Sequence, residues 1–207
     1  MTKPLVIAAA KGYLLSEALE KFSSLGIHFK DDLRTSRKLS TEDTTGRLVL
    51  LQVRPWDVPT YVENGAADLG IAGLDVLDEK PEPVLRLIDL KYGACKLVLA
   101  GPPGCDALSR HNIRVATKYP RITSAYFNKR GIKAELIKLY GSIELAPITG
   151  LSDIISDLTA TGATLKENNL DILETLLSST AHLITNSGSL RWRHADISSL
   201  TARLSQC

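Results

Sequence analysis

Paired cysteines are missing from this sequence. Its three, Cys95, Cys105 and Cys207, form no CxxC and no other paired spacing. Neither a disulfide framework nor a zinc site is expected, and a reducing compartment fits. Metal and nucleophile signatures are absent too. His28, His111, His182 and His194 stand apart, without HExxH or any ligand spacing. There is no GxSxG elbow, no GxxxxGK[ST] loop and no GxGxxG fingerprint, which speaks against covalent hydrolases, P-loop proteins and dinucleotide binders. Excess charge of one sign is lacking as well: 25 Lys and Arg face 23 Asp and Glu, for a formal net charge of +2. No general polycation is available for nucleic acid, so any anion must be held by a local cluster. Long hydrophobic runs are also wanting. The apolar start "PLVIAAA" is cut short by Lys11, too soon for a signal peptide, and nothing later reaches membrane-spanning length. A soluble cytoplasmic protein is expected, with neither membrane nor nucleic acid as partner. Trp56 and Trp192 read as packing or surface anchors, and Cys95 as a buried thiol within a strand.

What is present is an alternation of short apolar runs with amphipathic stretches, in a chain of 207 residues with 44% hydrophobic and 23% charged residues. Strands are expected at 4–10, 47–53, 67–73, 83–90, 95–101, 113–118, 132–139, 153–158 and 182–185. Helices are expected at 14–22, 57–65, just after 73, near 121–131, within 141–150, around 164–177 and after Gly188. Strands alternating with helices imply an α/β protein with parallel, doubly wound sheets. A break is expected near 90–94, in "KYGAC", and a return crossing near 178–182, in "SSTAH".

Three strand ends look alike: "VIAAAKG", "DLGIAG" and "ISDLTATG". Each leads from a buried strand through small residues and a glycine into a helix. In open α/β sheets, ligands sit beyond such carboxyl ends, where helix N-termini present free N–H groups to anions. "DLTATGATL", residues 157–165, fits that physics best. Gly162 admits close backbone approach, and Thr159, Thr161 and Thr164 add hydroxyl donors, interleaved with the small Ala160 and Ala163. Asp157 can accept hydrogen bonds from a sugar's hydroxyls. The same residues also suit an ordinary turn capping a helix, and their spacing alone leaves both readings open. Lys11 beside Gly12, and Arg54 at a strand end near Arg34, Arg37, Lys38 and Arg47, are cations for phosphate oxygens, or else solvated charges.

The stretches "AKGYLLSEAL", "SRKL", "VRPWDVPTYVENGAADLGIAGLDVL", "VATKYPRIT", "IKLYGSIELAPITGLSDIISDLTATGATLKENNL" and "SSTAHLITN" together resemble the short form of ATP phosphoribosyltransferase, the first enzyme of histidine biosynthesis. They cover most of the chain, and the blocks from Val53 and Ile137 are highly specific. The resemblance implies two doubly wound lobes with a cleft between them, like the periplasmic-binding-protein type II fold. Lobe I would comprise 1–92 plus 182–207, and lobe II 93–181. It implies transfer of the phosphoribosyl group of phosphoribosyl pyrophosphate to N1 of the adenine of ATP, with Mg²⁺ carried on the substrate. Residues 157–164 would hold the ribose and 5′-phosphate, with Asp157 on the hydroxyls. Lys11, Arg37 and Arg54 would face nucleotide and pyrophosphate as the catalytic cations, and Glu144 and Asp68 would line the site. A regulatory subunit similar to histidyl-tRNA synthetase is implied as partner, around a homodimer within a hetero-oligomer, and through it sensitivity to histidine. The last residue, Cys207, falls where longer members continue into a histidine-binding domain, so the short form is expected. Two departures remove positive charge: Tyr13 stands where the family usually has arginine, and Leu74 where it usually has lysine. A two-lobed small-ligand binding module without turnover is the alternative reading, and an orotate- or purine-type phosphoribosyltransferase a third.

Overall fold

Strand β1 (Leu5–Ala10) sets the pattern for the fold in the computed structural model, which describes residues 3–110 and 112–206. Its side chains feed two separate cores. Leu5, Ile7 and Ala9 enter one, while Ala8 and Ala10 enter the other. A strand covered on both faces has no polar side to show, which is why the sequence reads as one unbroken apolar run.

The chain continues through α1 (Tyr13–Ser24), β2 (Ser40–Glu42), β3 (Leu48–Val53) and α2 (Val58–Glu63). Next come β4 (Leu69–Gly73), α3 (Leu74–Glu79), β5 (Leu85–Asp89) and β6 (Cys95–Gly101). Then follow β7 (Asn112–Thr117), α4 (Pro120–Arg130), β8 (Lys133–Lys138) and α5 (Leu145–Ile148). The last elements are β9 (Ile154–Thr159), α6 (Ala163–Glu167), β10 (Asp171–Ser179), β11 (Ala181–Thr185), α7 (Ser187–Trp192) and α8 (His194–Ser205). His111 and Cys207, which figure in the histidine and cysteine readings, lie outside the described residues. Cys95 and Cys105 are half-buried and in no disulfide, so Cys95 is less enclosed than the sequence suggests. Trp192 lies on the surface, 80% exposed.

Two compact units result: Met1–Gly93 with Thr180–Cys207, and Ala94–Ser179. Unit 1 holds a six-stranded sheet in the order β2-β3-β1-β4-β11-β5. Its main core gathers Ile7, Phe22, Leu50, Leu69, Ile71 and Leu183 with Ile197, Leu200 and Leu204 from α8. Each such side chain contributes about 1.5–3 kcal/mol by leaving water. Unit 2 holds a five-stranded sheet in the order β10-β6-β9-β7-β8. Val98, Ala100, Ala116 and Ile155 face α5 and α6 on one side, and Leu99, Ile113, Val115 and Ile154 pack around Phe127 of α4 on the other.

In each sheet the order of strand connections reverses about one central strand, β1 in unit 1 and β7 in unit 2. In unit 1, β1 is parallel to β3 on one side and to β4 on the other. In unit 2, β7 is parallel to β8 on one side and to β9 on the other. Chain connections part on opposite sides at these positions, and ligands in open α/β sheets bind beyond the carboxyl ends there.

Three expectations need correcting. The sheets are mixed rather than wholly parallel, since β11 runs antiparallel to β4 and β5, and β6 antiparallel to β9 and β10. Each of these strands follows another strand without an intervening α-helix, so no crossover enforces parallel pairing. A buried strand also looks the same in sequence whichever way it runs. The helix expected at 164–177 is a five-residue turn, Ala163–Glu167, followed by the nine-residue strand β10. Asn169, with φ 54°, ends the helical path in the left-handed region. The single helix expected after Gly188 is two, parted at Arg193, and begins at Ser187 with the Asn186 side chain accepting the Ser189 N–H at 2.7 Å.

Candidate substrate sites at two strand-end edges

In unit 2 the chain turns from β9 into α6 through the loop 157–164. Thr159 Oγ1 accepts the Gly162 N–H at 2.8 Å, and Thr161 Oγ1 accepts the Ala163 N–H at 3.3 Å. These bonds use the oxygens' lone pairs, so neither hydroxyl hydrogen is consumed by them. Gly162 has φ 79°, a left-handed conformation that a side chain strains. Ala160 and Thr161 donate their N–H groups to no acceptor among the described residues. The loop thus offers N–H and O–H donors of the kind an oxyanion requires. α6 is too short for a substantial dipole, so the individual N–H and O–H groups carry this reading.

Asp157 closes the loop on the strand side. It is half-buried at the carboxyl end of β9, and its Oδ1 accepts the Leu158 N–H at 2.9 Å. Burial is the largest influence on this carboxyl and pushes its pKa up to about 6. Glu144 raises it further, while the Leu158 N–H and the Lys118 ammonium pull it down. The structure thus brings together Asp157, Glu144 and the loop residues Thr159, Ala160, Thr161, Gly162, Ala163 and Thr164. It adds Lys118, which the sequence reading passes over although "VATK" repeats the strand-then-cation pattern of "AAAK".

In unit 1 the corresponding edge is cationic. The Lys11 N–H donates to the Val53 carbonyl at 2.8 Å, tying the end of β1 to that of β3. Gly12 follows with φ 102° and open space around it before α1 begins. Arg54 directly follows β3, extended at φ −65° and ψ 145° as the residue before a proline prefers. β2 pairs antiparallel with β3, and the Gln52 N–H donates to Leu39 at 2.8 Å. That register carries the segment containing Arg37 to the same edge. Lys11, Arg37 and Arg54 are exposed, and none forms an ion pair within 4.0 Å among the described residues. Arg34 and Lys38 differ: the Arg34 guanidinium grips Asp32 at 2.8 Å, and Lys38 pairs with Asp31 at 2.8 Å. Their charge is already engaged.

Asp68 is not with these groups. It precedes β4, at the amino end, roughly 16 Å of strand away from the carboxyl edge. Its carboxylate accepts the Val6 N–H at 2.9 Å and the Ser189 hydroxyl at 2.9 Å, and Arg193 stands 3.7 Å away. Asp68 is a structural clasp between β1, β4 and α7, so its expected place in a substrate site is corrected. A hollow of about 460 Å³ opens near that amino edge, lined by Leu5, Asp43, Arg47, Arg193 and Arg203. It contains none of the expected site residues.

Among the described residues, no three His, Cys, Asp or Glu side chains converge as a protein-held cation would need, and no helix is long and apolar enough to cross a membrane.

Comparison with known proteins supplies the remaining finding. Residues 54–206 match the family model described as "HisG: ATP phosphoribosyltransferase". The ATP phosphoribosyltransferase of Geobacter metallireducens is 46% identical over 204 residues, covering 97% of this chain and 96% of that protein. The enzyme of the same name from Caldanaerobacter subterraneus is 44% identical over 199 residues, covering 96% and 94%. Among solved structures, the "ATP phosphoribosyl transferase (HisG:HisZ) complex from Thermotoga maritima" superposes with a TM-score of 0.83 at 37% identity, covering 98% of this chain and 97% of that one. That neighbour's fold is of the periplasmic-binding-protein type II kind, the class expected from the sequence. A protein solved with L-arginine, Tv2483, matches with a TM-score of 0.62 at 15% identity, a likeness of fold alone.

Proposed function

The chain belongs to the ATP phosphoribosyltransferase family, and from that premise we propose how its two strand-end edges divide the substrates. It is the enzyme of the first step of histidine biosynthesis, moving the phosphoribosyl group of phosphoribosyl pyrophosphate onto N1 of the adenine of ATP. Unit 2 binds the donor: the loop's N–H and hydroxyl groups hold the 5′-phosphate, and Asp157, once ionised, accepts from the ribose hydroxyls. Glu144 lines the same site. Unit 1 meets the polyphosphates with Lys11, Arg37 and Arg54. The observation that carries this reading is the Asp157–Thr164 loop, which lies where the order of unit 2's strand connections reverses, inside the segment matched by the family model.

The chemistry asks for positioning and charge compensation rather than a strong base. The adenine N1 lone pair forms the new bond to C1 as the bond from C1 to the pyrophosphate oxygen breaks, and pyrophosphate departs with the electron pair. Positive charge develops on the sugar and negative charge on the leaving group. An ionised Asp157 steadies the former through the ribose hydroxyls, and the unit 1 cations steady the latter. Mg²⁺ enters this proposal carried on the substrate, as the family resemblance implies. A regulatory subunit resembling histidyl-tRNA synthetase is proposed as partner, following the complex solved from Thermotoga maritima. A cytoplasmic location is part of the same proposal. A binding module without turnover is not favoured.

The test is pyrophosphate release by the full chain with the regulatory partner. Release is expected only when ATP, phosphoribosyl pyrophosphate and Mg²⁺ are all present. No release under those conditions, or faster release with orotate or a purine base in place of ATP, overturns the reading.

A further inference from the structure

We infer that Lys118 is a further substrate-binding residue of unit 2, whose ammonium contacts phosphate oxygens of the phosphoribosyl donor held by the Asp157–Thr164 loop. This inference rests on the proposed role of that loop. It starts from register. β7 and β9 are parallel with Thr117 opposite Ser156, so the next residues, Lys118 and Asp157, emerge side by side where the order of strand connections reverses. Alternation along the strands puts both on the face of Ala116 and Ile155, against which α5 and α6 pack.

Hydroxyls beneath them hold this arrangement still. Thr117 Oγ1 accepts the N–H of Tyr119 at 2.9 Å, closing a tight turn around Lys118. The same hydroxyl donates to the Ser156 carbonyl at 2.7 Å, binding that turn to the strand that carries Asp157. From α4, Thr123 Oγ1 donates to Ser156 Oγ at 2.9 Å. All three hydroxyl residues are fully buried. Such a pinned backbone fixes where the Lys118 stem begins, so the backbone itself need not be ordered when the cation binds.

Charge supplies the need. The loop itself contains no cation, and its flanking groups, Asp157 and Glu144, are both acids. A phosphate brought against two carboxylates and a few neutral donors is repelled unless a positive charge stands with it. Other lysines near this edge are worse placed. Lys96, opposite Thr159 on β6, and Lys166 on α6 are exposed, and the Lys138 ammonium lies 5.5 Å from the centre of the Tyr140 ring. Lys118 is half-buried, and its field reaches the Asp157 carboxyl.

The experiment measures binding of phosphoribosyl pyrophosphate, ribose 5-phosphate, inorganic pyrophosphate and ATP to the full chain by calorimetry. Lys118→Met, Lys118→Arg, Lys96→Met and Gly162→Ala are compared, each first shown to keep its melting temperature. Lys118→Met is expected to weaken phosphoribosyl pyrophosphate by about tenfold or more and ATP by less than about threefold. Lys118→Arg should recover most of the loss, and Lys96→Met should cause little. A parallel loss for ribose 5-phosphate assigns the contact to the 5′-phosphate, and one for pyrophosphate alone assigns it to the leaving group. A cation that merely keeps Asp157 ionised would give a defect that disappears by about pH 9, whereas a direct contact survives there. Disappearance of the defect at that pH overturns the inference. So does a Lys118→Met protein that binds normally while Gly162→Ala weakens donor binding, an outcome that leaves the loop's role intact. If Gly162→Ala and Lys118→Met both bind the donor normally, the loop assignment falls and this inference with it.

Discussion

Asp157 carries a conflict between stability and function that can be measured. Burial raises its pKa from 3.8 to about 6, against the pull of Lys118 and the Leu158 N–H. The folded protein therefore holds this proton more tightly than the unfolded chain does. The group's contribution to stability is fully present below pH 3.8 and is lost as pH rises through about 6. At neutral pH the buried charge is a net cost, so Asp157→Asn should stabilise the protein by about 1–2 kcal/mol, the full shift being discounted for partial exposure. Urea titrations at several pH values should show this gain shrinking towards zero as pH falls to about 4. Donor binding should move the other way. An ionised carboxylate accepts from both ribose hydroxyls, so the asparagine variant should lose about tenfold or more in phosphoribosyl pyrophosphate affinity at pH 8. The native protein's affinity should fall below about pH 6 more steeply than the variant's. Equal pH profiles for the two would remove Asp157 from the site. Asp68 shows the limit of reading single acids from sequence. "ADLG" and "SDLT" look alike, yet one acid precedes its strand and the other ends it. Only strand boundaries, the least legible feature of a sequence, separate the clasp from the proposed ligand.

Most elements were legible because their apolar runs are bounded by glycines, prolines and charges. β10 was not, and the reason is geometric. Register shifts against β6 fall between Ile172 and Glu174 and between Thr175 and Leu177. Each shift is a bulge that inserts one residue, Leu173 or Leu176, into the strand. Exposure then repeats every three residues: Ile172, Thr175 and Ser178 face water, while the leucines between them turn inwards. A strand bulged twice thus imitates helical spacing, and "LDILETLLSS" misleads any argument from period alone. The bulged leucines pack beside Leu99, Ile113 and Phe127. Leu173→Ala and Leu176→Ala should each cost about 2 kcal/mol in chemical denaturation. Ile172→Ala, at a side chain 50% exposed, should stay within about 0.5 kcal/mol. A helical 164–177 would sort these three side chains differently, with Ile172 on the same face as Leu176. Comparable losses at 172 and 176 would therefore contradict the bulged strand. Strand direction was hidden for another reason: β6 and β11 are buried on both faces, and such runs carry no mark of parallel or antiparallel pairing.

Across the whole molecule the charges nearly cancel, at +2, so recognition of two polyanionic substrates depends on which cations remain unpaired. In unit 1 those at the carboxyl edge are Lys11, Arg37 and Arg54, because Arg34 and Lys38 are held by Asp32 and Asp31. The nearby cations therefore do not make good the positive charge that is absent at Tyr13 and Leu74. The two positions are not equivalent. A hydrogen bond to Glu17, with the field of Glu17 and then of Glu20, raises the phenol pKa of Tyr13. An arginine there would spend part of its charge on those acids. Leu74 begins α3 directly beyond Gly73, and β1 and β4 pair so that Gly73 comes level with Lys11. Its backbone N–H is already satisfied by the Thr180 carbonyl at 2.9 Å, which leaves its side chain as the variable. Leu74→Lys should therefore lower the KM for ATP by about three- to tenfold at low ionic strength, with kcat changed by less than about twofold. The gain should fade in about 0.5 M salt, where exposed charges are screened within a few ångströms. A gain that persists in high salt would point to a direct contact instead of a field. A KM that does not fall at all would mean that Lys11, Arg37 and Arg54 already meet the electrostatic demand of the nucleotide.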